Sequence, residues 1–143
     1  MRILICALFL NALPASLMAQ EKDRWRRVDT LEDASIDMNT SRVTFGEGRI
    51  GRVRFRMILL KPEPLRGRSG VKYKSRRWIV ELKCLERSYR VTESNLFDAK
   101  DELLHSEELS DPSEKWETVK EGSTMAKLWT PACELIAQKR RNP

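Results

Sequence analysis

The chain has 143 residues, with 27 Lys and Arg against 21 Asp and Glu, for a formal charge of +6. At 34% charged and 41% hydrophobic residues it has enough apolar content to fold, and its length suits one domain. Three Cys, one His and six Gly exclude a zinc-finger array, a disulfide-dense miniprotein and a collagen, and no apolar run long enough to span a bilayer follows residue 20.

Residues 1–19 carry the pattern of a secretory signal peptide. Arg2 gives the positive start, Ile3 to Leu10 form the apolar run, and Pro14 breaks it. Ala15, Ser16 and Ala19 then precede the polar stretch Gln20 to Asp23. Cleavage leaves 20–143, a domain of 124 residues with a charge of +5. Cys6 departs with the signal and has no lipid-attachment pattern around it. Cys84 and Cys133 remain, 49 positions apart. Two Cys in an exported chain read as one structural disulfide. The alternatives, a redox pair or a metal site, need closer spacing or further ligands.

In chain order, Trp25 to Val28 is a short strand, and Leu31 to Ile36 follows with turn residues Asp33 and Ser35. Arg42 to Phe45 alternates before the Gly46-Glu47-Gly48 turn. Residues 49–60 give the clearest strand: Val53, Phe55, Met57 and Leu59 fall on one face, Arg52, Arg54 and Arg56 on the other. Such two-sided alternation suits an antiparallel sheet with one wet face. Pro62, Pro64, Gly67 and Gly70 predict a loop over 61–71. Lys72 to Leu82 is the next strand, with Trp78, Val80, Leu82 and Cys84 on one face. Tyr89 to Thr92 begins a return strand, and Leu96-Phe97 and Leu103-Leu104 flank a hairpin turn. A loop follows at Asp111 to Ser113, and Trp116 to Val119 is extended or leads into a helix. Met125, Leu128, Trp129, Ala132, Cys133 and Ile136 recur at helical spacing behind a Ser123 cap. Pro131 should kink or split that helix near Thr130, and 136–143 reads as a frayed tail. The expectation is one α+β domain: a single antiparallel sheet of about five or six strands with a C-terminal helix tied to one face by a disulfide, Cys84–Cys133. Its core should come mostly from Val53, Phe55, Met57, Trp78, Val80, Leu82, Leu128 and Trp129.

Few residues point to chemistry. Gly46 to Gly51 has the letters of a dinucleotide fingerprint, but that motif needs a helix behind it, and here a strand pattern follows. The glycines read as a hairpin turn. His105 has no second His and no nucleophile context, and reads as a solvated residue. Asn39-Thr40-Ser41 has the form of a glycosylation acceptor and otherwise reads as a turn. No catalytic residue, metal ligand or cofactor is expected.

Charge placement says more. Residues 49–77 hold eleven basic groups and one acid, whereas 98–121 hold nine acids and three lysines. Arg52, Arg54, Arg56, Arg76 and Arg77 are the candidate anion-binding residues. One reading is a patch for polyanions such as glycosaminoglycan, lipopolysaccharide or anionic lipid headgroups. The other is a solvated strand face offset by the acidic segment folding back over it. Nucleic acid is not expected, because the chain reads as exported and Tyr73 and Trp78 alone make no stacking platform.

Several short pieces resemble the bacterial surface-adhesin protein E family. They are the Trp-led strand Trp25 to Val28, the Ser35-Ile36 turn end, and Glu81-Leu82-Lys83-Cys84 followed by Tyr89-Arg90-Val91. Trp116 to Val119 follows, then the Gly122-Ser123 start of a helix carrying Cys133. The resemblance implies an antiparallel sheet with the C-terminal helix held by the Cys pair. It also implies non-enzymatic binding at the bacterial envelope, with a host extracellular matrix protein as partner; an anionic envelope polymer is the partner that the basic residues suggest. A periplasmic structural or accessory role is the alternative. The mature chain is expected to be exported to the periplasm or outer cell surface without a transmembrane span, and an open edge strand leaves room for a dimer.

Overall fold

Strand alternation and one amphipathic helix account for most of the architecture. A computed structural model describes residues 23–108 and 115–142. The signal-like segment 1–19 and the Asp111–Ser113 loop lie outside the described residues. Among those described, the elements are β1 (Trp25–Thr30), β2 (Ala34–Asn39), β3 (Thr44–Phe45), β4 (Gly51–Pro64), β5 (Lys72–Lys83), β6 (Ser88–Phe97), β7 (Leu103–Glu108), β8 (Glu117–Thr118) and α1 (Thr124–Arg141). The sheet runs β1-β2-β4-β5-β6-β7 with antiparallel neighbours, while β3 pairs with β4 and β8 with β6. The fold is the expected α+β sheet and helix. No helix among the described residues is long and apolar enough to cross a membrane.

Period-two patterning puts Ile36 and Met38, Val53 and Phe55, and Val80 and Leu82 on one face of the sheet. They pack with Leu128, Trp129, Ala132, Leu135 and Ile136 of α1. Trp78 and Met57 are half-buried at the margin of this core, with the Trp78 ring 5.8 Å from that of Phe55. The Cys84–Cys133 disulfide joins the end of β5 to α1 across a Cα separation of 5.8 Å. Gly51 is where the helix comes nearest the sheet: a Cβ there would overlap the Ile136 side chain. The last glycine of the fingerprint-like run therefore serves close packing, and Phe45 paired with Gly51 makes the run a hairpin.

The structure corrects several boundaries. β2 occupies the segment read as a turn; the turn itself is confined to residues 31–33, closed by the Leu31 amide donating to the Ala34 carbonyl at 2.8 Å. Asn39 is wholly buried: its side chain donates to Asp23 and accepts from the Ser41 and Arg42 amides, so it anchors a turn. β4 runs on through Pro62 and Pro64 instead of ending before a loop at 61. Its register is interrupted between Ile58 and Glu63, so Pro62 lies where no ladder N–H is needed. Helix α1 is not split at Pro131 and continues to Arg141. Buried residues on both sides of the proline, Leu128 and Trp129 before and Leu135 and Ile136 after, hold the two halves in one packing arrangement. The Ser123 cap forms as expected, its hydroxyl accepting from the Ala126 amide at 3.1 Å.

Candidate functional site

The sheet face opposite α1 carries the outward residues of β4: Arg52, Arg54 and Arg56. Alternate residues of a strand stand roughly 7 Å apart, so these side chains form a row. Register then supplies what composition could not show. Arg56 sits opposite Asp37 of β2, and Asp37 opposite Arg27 of β1. Arg52 sits opposite Glu81 of β5, and Glu81 opposite Arg90 of β6. Each carboxylate is clamped by two guanidinium groups. Glu81 accepts from Arg52 Nε at 2.6 Å and from Arg90 Nε at 2.7 Å. Asp37 accepts from Arg56 Nε at 2.9 Å and also from Arg27.

The acids are covered more completely than the bases. The Asp37 and Glu81 side chains are 5% and 3% exposed; in each clamp one arginine is about half exposed, Arg27 at 52% and Arg52 at 45%, and the other is more covered, Arg56 at 28% and Arg90 at 24%. Each clamp therefore keeps one net positive charge and shows solvent mainly guanidinium. Burial pushes both carboxyls up, but the hydrogen bonds and charges of their arginines outweigh it and hold each below the usual carboxylate value. Between the clamps stands Arg54, exposed, opposite Ile79, with no carboxylate within ion-pair distance among the described residues.

Aromatic rings brace the same face. The Arg56 guanidinium lies 4.5 Å from the Trp25 ring centre, and that of Arg90 lies 4.8 Å from Trp116. Arg77 lies 4.1 Å from the Phe97 ring and pairs with Asp101. The Asp101 carboxyl is held down by the Arg77 hydrogen bond. Asp101 adopts φ 68° in the β6–β7 turn, a backbone that Asp tolerates better than most residues. A cleft of about 200 Å³ lies between Trp25, Arg54, Arg77, Ile79 and Phe97, and its lining also holds two acids, Asp23 and Glu93, the latter opposite Ile79 on β6.

Of the five candidate arginines, four share this face: Arg52, Arg54, Arg56 and Arg77. Arg76 lies on the other side, beside Trp78, with its Nε donating to Ser94 at 2.9 Å. Its even register with Trp78 was the signal for that. The acids that answer Arg52 and Arg56 come from neighbouring strands; from the acidic segment, Asp101 reaches Arg77. Sequence reasoning missed Arg27, Asp37, Glu81 and Arg90. The available signal was a lone acid in each of two strands, Asp37 in β2 and Glu81 in β5. His105 is exposed on β7. Among the described residues no cluster of His, Cys, Asp and Glu could hold a metal ion. What the face can do chemically is hold anions: fixed guanidinium groups offer charge-assisted hydrogen bonds at strand spacing.

The family described as surface-adhesin protein E matches residues 25–134, from the first strand through the second disulfide Cys and into α1. No curated protein and no solved structure matches the chain. The match takes in all eight strands of the described residues, both disulfide cysteines and the whole arginine face, so the chain belongs to the surface-adhesin protein E family.

Proposed function

We propose that this protein is an exported, non-enzymatic binding protein of the bacterial envelope that engages an anionic polymer through its arginine face. The observation that carries this is Arg54 standing exposed between two clamps that each retain net positive charge. Family membership supports an adhesin-like role, and a sulfated or carboxylated polymer displayed on a host matrix fits both lines of support. The Cys84–Cys133 bridge supports export, since such bonds persist in oxidising compartments.

Two measurements test the reading. Surface labelling of intact cells should reach the protein without permeabilising the outer membrane; labelling only after permeabilisation would favour the periplasmic structural or accessory role. Binding to heparin should weaken steeply with salt, and Arg54→Glu should weaken it by about tenfold at low salt. Arg54 is the residue to change, because Arg52→Ser or Arg56→Ser would also strip a partner from a buried carboxylate. Heparin binding that is absent at low salt, or untouched by Arg54→Glu, refutes the assignment of this face.

A further inference from the structure

A second cleft lies away from the arginine face, at the end of the molecule where the β3–β4 turn, the β5–β6 turn and the second half of α1 converge. Its volume is about 410 Å³, within the range of small-ligand pockets. The floor and walls are apolar: Ile50, Leu85, Ile136, Ala137 and the Cys84–Cys133 bridge. The bridge and the Gly51–Ile136 approach fix the helix against the sheet, so the cleft cannot close by a small shift of α1. Leu85, 75% exposed, and Phe45, 42% exposed, are left in water nearby. Large apolar side chains grouped in this way mark a surface that gains by being covered.

The rim is charged, with a bias. Lys83 pairs with Glu86 at 3.4 Å, which leaves Glu47 against Arg49 and Arg140. Neither arginine has a carboxylate within ion-pair distance among the described residues. Arg140 is held over the Phe45 ring at 5.2 Å. An apolar trough with spare cations at its edge complements a molecule with an apolar tail and one anionic head. We propose that this cleft binds a free fatty-acid anion, a single-chain carboxylate amphiphile, with the chain against Ile50, Leu85 and Ala137 and the carboxylate met by Arg49 and Arg140. The site shares no residue with the arginine face and does not depend on the function proposed there.

The test uses the oxidised protein and dodecanoate below its micelle-forming concentration, read by displacement of fluorescent cis-parinarate. Saturable one-to-one displacement is expected, with dodecanol, the uncharged analogue, about tenfold weaker. Arg49→Glu with Arg140→Glu should weaken dodecanoate by about tenfold or more. Ala137→Trp fills the trough from an exposed helix position, and Leu85→Asp puts charge on its wall; both side chains are exposed, so the fold survives either change, and both should cost at least as much. The proposal fails if displacement does not saturate, or if dodecanol binds as tightly as dodecanoate. It fails equally if the Ala137→Trp and Leu85→Asp variants bind like the parent, or if anionic phospholipid vesicles bind and monomeric dodecanoate does not.

Discussion

Asp37 and Glu81 have lost nearly all contact with water, and each is answered by two guanidinium groups. Burial alone would raise their pKa values; the arginines reverse that and leave both below the usual value of about 4. A depressed native pKa means that the unfolded chain binds protons more readily than the folded one in the acid range. The two clamps therefore contribute stability fully above about pH 4–5, and lose it as pH falls through the lower native values. The urea midpoint should be flat from about pH 5 to 8 and fall steeply below about pH 4. Glu81→Gln should cost about 1–3 kcal/mol at pH 7 and shrink the acid loss. The usual penalty for breaking a buried ion pair is larger, but the arginines left behind are partly exposed and can rehydrate. Arg54→Ala, at a site with no such partner, should stay within about 0.5 kcal/mol of the parent. Equal effects of Glu81→Gln and Arg54→Ala on unfolding would refute the distinction between clamp and free cation.

The contact between β4 and α1 is set by a missing side chain. Gly51 has no Cβ, and Ile136 occupies the space that one would take. Gly51→Ala should cost about 1–3 kcal/mol by overpacking, and Ile136→Ala about 2–5 kcal/mol by opening a cavity. Together they should cost clearly less than the two combined, because the new methyl enters the space vacated. Strict additivity in a double-mutant cycle would disprove the contact. The sequence showed β4, β5 and the helix because each repeats one period over many residues. It hid β2, six residues that place Asp37 and Asn39 in buried positions, since their burial depends on partners supplied by other strands. It misjudged Pro62, because an interrupted register was invisible; of the kink or split expected at Pro131 the split does not occur, because tertiary packing on both sides holds one continuous helix. The arginine row was legible at period two. Its acids were not, since Asp37 lies 19 residues before Arg56 and Glu81 lies 29 after Arg52, and only strand register brings them together.

One covalent link ties the sheet to its helix. The Cys84–Cys133 bridge joins residues 49 positions apart and closes a loop that contains β6, β7, β8 and the first half of α1. On the chain-entropy account, closing a loop of that length disfavours the unfolded state by about 4 kcal/mol. A domain of this size holds only about 5–15 kcal/mol in all. The bridge is thus a large share of the margin by which the sheet keeps its helix. Replacing both cysteines with Ala should lower the melting temperature by roughly 15 °C. Hydrogen exchange then separates two routes. The buried helix residues Leu128, Trp129, Ala132, Leu135 and Ile136 belong to the same core as Val53, Phe55, Val80 and Leu82. If that core is one cooperative unit, amides of α1 and of β4–β5 should lose protection together, because the bridge acts on the unfolded chain and not on one local contact. Loss confined to α1 would instead show that the bridge pins a helix whose own packing is insufficient. An unchanged melting temperature under reductant, with both thiols verified free, would deny the bridge either role.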